Sequence, residues 1–332
     1  MAGAHGLRGR WRTTAHVGLI ALALAFAFAS GANDGVTLAA TSARSRALPP
    51  LAAIGLLVVA VGGVPLLIGT GVASTVAHGL VSFERSDGKA VFADAVVSSL
   101  VVVLALSRRG LPTSLTMGLT GAIVGAGLGA GLPTRWSTIG AVFASGVAAP
   151  VVSLALAFAL ARPVRLLLGV GERRRRRARL AQIAAFLAQS LAYGANDAEK
   201  LPALFALAGG SVAGSVRASG FGQLLLALAF GVGALVYLRR ISARVAVQMA
   251  RVDDDGTLSA IVAATASVLA GSGVRMPLSS TQATTAALLG GSARLEPWGV
   301  RWQEVRAISL AWATTLPFTF ALAFLAGLLV RA

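Results

Sequence analysis

The sequence has no cysteine, so disulfides, thiolate metal sites and thiol nucleophiles are all excluded. Histidine is almost as scarce. His5 and His16 lie near the start and His78 follows the second apolar stretch, too few and too scattered for a metal site. Charged residues make up only 12% of the 332 positions, too little to cover a soluble domain of this length. No nucleophile–base pair stands out, so the chain reads as non-enzymatic and without a cofactor.

Apolar residues take that place. They account for 56% of the chain and give a mean hydropathy of +0.79, which makes the bilayer the solvent. A spanning helix needs roughly 20 mostly apolar residues. Such stretches run near 14–30, 51–72, 90–107, 137–161, 180–193, 218–238, 257–273 and 307–330, with shorter glycine-rich ones near 111–131 and 276–291. These predict an all-α, multi-pass protein of the cytoplasmic membrane with no soluble domain left over. The 39 glycines suit helices that pack closely in lipid. Residues 1–30 have the outline of a signal peptide, with Arg8, Arg10 and Arg12 ahead of an apolar run. The run continues into a polar motif instead of a cleavage site, so it reads as a retained helix.

The net charge of +17 could point to nucleic acid, but the basic residues sit in short connections and no domain presents them. The densest run, GERRRRRARL at 171–180, reads as a cytoplasmic anchor under the positive-inside rule, with anionic lipid head groups as partners.

Two strings recur. GAND occupies 31–34 and 194–197, placing Asp34 and Asp197 163 positions apart (197 − 34). Pro-x-Ser-x-Thr occurs as PTSLT at 112–116 and PLSST at 277–281, offset by 165 (277 − 112). The shared order and spacing predict two repeats: 1–168, a basic cytoplasmic linker at 169–177, and 178–332. An odd number of crossings in each half would invert the second and put both termini opposite the linker. The linker region carries Arg162, Arg165, Arg173 to Arg177 and Arg179 against three arginines on the N-terminal tail, so the linker is predicted inside and both ends outside.

A carboxylate in a bilayer costs at least ~2.5–3.5 kcal/mol on insertion scales and tends to line a pathway. In both GAND copies a glycine precedes Asn-Asp within an apolar run, a place where a helix can unwind and free its backbone groups for ions. Asn-Asp is also a good helix cap, but a matched pair in two repeats favours a site. After each proline come hydroxyls and then small residues, which predicts re-entrant helical hairpins whose first turns, with proline at the start, offer free N–H groups to an anion. An oxyanion would be held by dipoles and hydroxyls, its charge offset by cations or protons at Asp34 and Asp197. Phosphate still carries protons near neutral pH and can donate a hydrogen bond to a carboxylate, while sulfate cannot, so two acids in the site favour phosphate. Glu199 and Lys200 are adjacent and do not share a helix face, which suggests a helix-end role near the site. Asp94 is either part of a helix start or a third carboxylate on the ion pathway.

Together the paired GAND and Pro-x-Ser-x-Thr motifs resemble the inorganic phosphate transporter (PiT) family over nearly the whole chain. The segments GVGALVYLRRISARV at 231–245 and GVRWQEVRAISLAWATTLP at 299–317 are also similar to it. The resemblance implies an inverted-repeat fold with broken helices and hairpins, phosphate as substrate, and symport with H⁺ or Na⁺ by alternating access. By position, the substrate and ion residues would be Asn33, Asp34, Ser114 and Thr116, then Asn196, Asp197, Ser279, Ser280 and Thr281, with Asp34 and Asp197 as seats for Na⁺. A homo-oligomer is compatible with this reading. The sequence departs from the family where a histidine usually follows the hydroxyl string, at Met117 and Gln282, and in the residues after Asn-Asp, Gly35-Val36-Thr37 and Ala198-Glu199-Lys200. The alternatives are a sulfate permease of the same fold and, further off, an ion channel or a non-transporting membrane subunit.

Overall fold

The computed structural model describes residues 17–45, 47–68, 70–108, 113–208, 216, 218–248, 253–295 and 297–331. His5, His16, the three tail arginines and Pro112 lie outside them.

Every apolar stretch becomes a helix. The first half contains α1 (Val17–Arg44), α2 (Pro50–Leu67), α3 (Gly88–Arg108), α4 (Leu115–Gly129) and α5 (Trp136–Leu168). The second contains α6 (Glu172–Asn196) with its continuation α7 (Lys200–Ala208), then α8 (Gly220–Gln248), α9 (Asp254–Gly273), α10 (Ser280–Leu295) and α11 (Trp302–Arg331). Among the described residues seven helices (α1, α2, α3, α5, α8, α9 and α11) are long and apolar enough to cross a membrane, and the chain is a multi-pass membrane protein. At ~1.5 Å per residue α4 and α10 reach only about 22–24 Å, short of a ~30 Å hydrocarbon core.

Local chemistry sets the helix ends. Pro49 is extended and Pro50 opens α2 at a position where its missing N–H costs nothing. Asp253 caps α9 by accepting from the Gly256 N–H at 2.8 Å, with Asp254 and Asp255 in the first turn beside the positive helix end. The arginine run, expected as a loop, instead forms the first turns of α6. The non-helical joint is only 169–171, where Gly169 (φ 72°) and Gly171 (φ 86°) supply left-handed backbone. Arg165 pairs with Asp253 and, at 3.2 Å, with buried Asp255, which Arg174 also meets at 2.6 Å. These pairs clasp the joint to the start of α9.

The two halves interlock. The short helix of each packs on the closing helix of the other, α4 on α11 and α10 on α5, while α1 lies on α8 and α2 on α6. Glycine permits the approach. A Cβ at Gly125 would stand 2.3 Å from the Phe320 carbonyl oxygen, and one at Gly290 would stand 2.1 Å from that of Leu154. Gly121, Gly125 and Gly129 form a small-x-x-x-small stripe along α4. Polarity is arranged inside out relative to a soluble protein: Val147 (69% exposed) and Leu325 (60%) face outward, while Asn33, Asp34, Asn196, Asp197 and many hydroxyls are buried. That is the distribution lipid demands.

Candidate functional site

Both GAND copies fall where helix geometry changes, in two different ways. In α1, Gly31–Gly35 forms a π-turn inside a helix that otherwise continues, a local widening that often marks functional positions. In the second copy α6 ends at Asn196 and a turn at 197–199 leads into α7. The motif glycines serve packing, not the unwinding expected of them. A Cβ on Gly31 would meet the Phe230 carbonyl oxygen at 1.8 Å, and one on Gly194 would meet Val64 Cβ at 2.6 Å.

The asparagines fix the backbone ahead of each hydroxyl string. Asn33 Nδ2 donates to the Thr113 carbonyl and to Asp34 Oδ1, both at 2.8 Å. Asn196 Nδ2 donates to the Met276 carbonyl at 3.0 Å and to Ser272 at 3.1 Å, and its Oδ1 accepts from the Leu278 N–H at 2.8 Å. Ser114 then caps α4 by accepting from the Met117 N–H at 3.1 Å, and Ser279 accepts more loosely from the Gln282 N–H at 3.3 Å. The capping position therefore belongs to serine. Pro277 lies ahead of α10 instead of in its first turn, because Ser279 and the bonds of Asn196 set where the helix begins.

The carboxylates are held across the halves. Asp34 accepts from the Thr281 hydroxyl and, at 3.4 Å, from the Tyr193 hydroxyl, both from the second half. Asp197 accepts from the Ser280 hydroxyl and, at 3.2 Å, from the Ser280 N–H. Thr116 of the first half places its hydroxyl 3.2 Å from Asp197 Oδ1 and 2.9 Å from the Leu278 carbonyl. All nine residues predicted from the sequence are buried; Asp34, Thr116, Asp197, Ser280 and Thr281 meet in this constellation, while Asn33, Asn196, Ser114 and Ser279 hold the backbone beside it. It can hold a small ion by carboxylate, hydroxyl and main-chain groups together.

Two members were not foreseen. Lys200, expected at a helix end, reaches into the site and forms a buried ion pair with Asp197 at 2.7 Å. The signal was present, since Asp197 and Lys200 are three apart and share a helix face. Tyr193 is the second. Glu199 takes the helix-end role expected of it, on a different element: it accepts from the Val72 and Ala73 N–H groups at 2.8 and 3.2 Å, at the start of the four-residue helix Gly71–Ser74. Met117 and Gln282 line an apolar cavity with Gly146, Pro150 and Trp312. Asp94 is half-buried on α3 and, among the described residues, makes no hydrogen bond to the constellation.

A multi-pass helical protein with a polar site buried between two interlocked halves is the architecture of a transporter. The sequence matches the phosphate transporter family over residues 30–180 and 169–323, and the chain belongs to that family. A probable low-affinity inorganic phosphate transporter of Bacillus subtilis (strain 168) is 25% identical over 318 residues, covering 93% of this chain and 95% of the relative. One of the same description from Mycobacterium tuberculosis (strain ATCC 25618 / H37Rv) is 31% identical over 312 residues, covering 90% and 73%. A solved structure titled "The sodium-dependent phosphate transporter" superposes with a TM-score of 0.82 at 18% identity, covering 96% of this chain and 99% of that one. The fold is therefore shared with it.

Proposed function

We propose that the chain carries inorganic phosphate across the cytoplasmic membrane, coupled to a cation, H⁺ or Na⁺, by alternating access between two inverted halves. The observation that carries this reading is the pair of buried carboxylates, each touched by a hydroxyl from the opposite half. An ion seated there contacts both halves at once, so a rocking of one half against the other would change its exposure. The nine residues are buried, so substrate entry requires such a movement.

In this reading the halves are 1–168 and 178–332 joined through the basic segment 169–177, with the arginines on the cytoplasmic side against anionic head groups. Cations or protons at Asp34 and Asp197 offset the charge of the anion, and a carboxylate can accept a hydrogen bond from a phosphate hydroxyl. Thr116, Ser280 and Thr281 contact carboxylate or substrate oxygens, and Asn33, Asn196, Ser114 and Ser279 shape the backbone around them. The phosphate-named relatives and the sodium-dependent title of the structural neighbour support the substrate and the cation. The test is uptake of labelled phosphate into proteoliposomes, with Na⁺ and pH gradients imposed separately and sulfate as competitor. Phosphate should be preferred by at least an order of magnitude. Equal inhibition by matched phosphate and sulfate would move the assignment to a sulfate permease.

A further inference from the structure

Lys200 is 3% exposed, and each of the three N–H bonds of its ammonium has a partner. Nζ lies 2.7 Å from Asp197 Oδ1, 2.5 Å from Thr116 Oγ and 2.7 Å from the Leu278 carbonyl oxygen. A lysine has no fourth donor, so the group is fully satisfied. Its three partners are a carboxylate, a hydroxyl and a main-chain carbonyl, drawn from the α6–α7 turn, from α4 and from the segment ahead of α10. That set of oxygens is the kind that unwound membrane helices offer to an alkali cation.

The other half is built differently. The position 163 residues before Lys200 is Thr37, and its hydroxyl donates to the Asn33 carbonyl of its own helix at 2.7 Å. The position 165 before Ser280 is Leu115, so the first half also lacks that hydroxyl. Asp34 is left with neutral donors only: Thr281, Asn33 and Tyr193. Of the two carboxylates at matched motif positions, one is hydrogen-bonded directly to a covalently tethered positive charge and the other is not.

We propose that Lys200 is a built-in cation that permanently fills the second-half ion seat at Asp197, leaving Asp34 as the single seat for an exchangeable cation. This rests on the phosphate-transport reading. Transport then depends on the first power of the coupling-cation concentration, and the two halves, though alike in fold, do unequal work. The ammonium cannot leave, so it contributes charge balance for the bound anion without contributing to the gradient that drives it.

The experiment is labelled-phosphate uptake by the full chain in proteoliposomes, over a series of Na⁺ concentrations and separately over a series of outside pH values. The charge moved per phosphate is read from the voltage at which net uptake stops. The native protein should follow the driving cation with an order of one. Lys200→Met should expose a vacant seat at Asp197, raise the order to two and add one charge per phosphate. Asp197→Asn combined with Lys200→Met removes the ion pair as a neutral unit and should return the order to one, at a reduced rate. It keeps the proposal falsifiable should Lys200→Met fail to fold. A native order of two overturns the proposal, as does an order of two in the double variant. An order that stays at one in Lys200→Met, with a tenfold or greater rise in half-saturating phosphate, makes Lys200 an anion ligand instead. Absence of phosphate uptake by the native protein overturns the functional reading itself, and the inference falls with it.

Discussion

Thr281 donates its hydroxyl hydrogen to Asp34 across 247 positions of sequence. Thr116, at the matching place of the first hydroxyl string, sets its hydroxyl 3.2 Å from Asp197, 81 positions away, and nearer the Leu278 carbonyl at 2.9 Å. The exchange means neither half completes its own carboxylate seat, and whatever opens the halves must break the Thr281 and Tyr193 bonds to Asp34 and the Thr116 contact with Asp197.

The two contacts should not weigh equally. Asp197 keeps Lys200 and Ser280 when Thr116 is lost, whereas Asp34 keeps only Asn33 and the long Tyr193 contact when Thr281 is lost. A hydrogen bond to a charged group contributes ~1.5–3 kcal/mol, about one to two powers of ten in affinity. Because that bond stabilises the charged, unoccupied carboxylate, Thr281→Val should lower the half-saturating concentration of a driving proton by roughly 10- to 100-fold, and Thr116→Val should shift it by less. Equal shifts, or a larger one at Thr116, would contradict the asymmetry.

Close packing around the first GAND copy gives a second expectation. Gly31→Ala would drive Cβ to 1.8 Å from the Phe230 carbonyl oxygen, a backbone atom that cannot swing aside, while Gly63 has nothing within 4 Å of the same substitution. Overpacking costs typically ~1–3 kcal/mol, and a backbone clash lies at or above the top of that range. Gly31→Ala should lower the thermal midpoint in detergent by several degrees and cut the yield, with Gly63→Ala close to native. An unaltered midpoint for Gly31→Ala would show that α1 and α8 can part freely at this point.

Much of this was legible in the chain. Apolar runs long enough for a bilayer predicted the seven membrane-length helices, shorter runs predicted α4 and α10, and the matched spacing of GAND and the hydroxyl strings singled out nine residues that are all buried. What spacing does not encode is which half supplies each partner: that Thr281 serves Asp34 depends on how the two halves interlock. The Lys200 contact is encoded in its three-residue spacing from Asp197, one turn back, and not in its adjacency to Glu199. The motif glycines were read through their backbone freedom, whereas the contacts they make with Phe230 and Val64 lie 199 positions later (230 − 31) and 130 earlier (194 − 64). The arginine run looked like a loop from its charge, yet arginine is a good helix former and two glycines had already supplied the bend.

Sidedness can be read directly, since the native chain offers no cysteine. The 33 residues of α5 span about 50 Å at ~1.5 Å per residue, so its two ends lie on opposite faces of the bilayer. Arg331 approaches Gly131 to within 3.3 Å of a built Cβ, which puts the end of α11 with the turn before α5 and opposite the arginine joint. The segment around Ser86 belongs to that same face, because Arg85 donates to the Ala130 carbonyl at 3.0 Å. A membrane-impermeant thiol reagent added to intact cells should label Ser86→Cys and spare Arg176→Cys until the membrane is opened. The reverse pattern would invert the assigned topology.

The carboxylates themselves provide the most demanding test. Asp34→Asn and Asp197→Asn keep side-chain size and capping ability, so a purely structural role for either should survive with little loss. A role in seating a cation or in accepting a proton from phosphate should not survive, because the amide carries no negative charge. Asp34→Asn is therefore expected to abolish coupled phosphate uptake, and Asp197→Asn to abolish it by leaving the Lys200 charge unpaired in the site, an effect that Lys200→Met relieves in part. Their stabilities should differ. Asp34 has only neutral donors around it, and replacing it strands no charge. Asp197 faces Lys200 in a pair whose side chains are each 4% exposed, and removing one partner of a buried pair costs ~3–5 kcal/mol. Asp197→Asn should thus lower the thermal midpoint markedly while Asp34→Asn leaves it near native, and adding Lys200→Met to Asp197→Asn should restore much of the loss without restoring native transport. Near-native, gradient-driven uptake by both single variants would return the GAND motifs to a structural role. Equal midpoints for the two would mean that Lys200 finds other compensation once Asp197 is neutral.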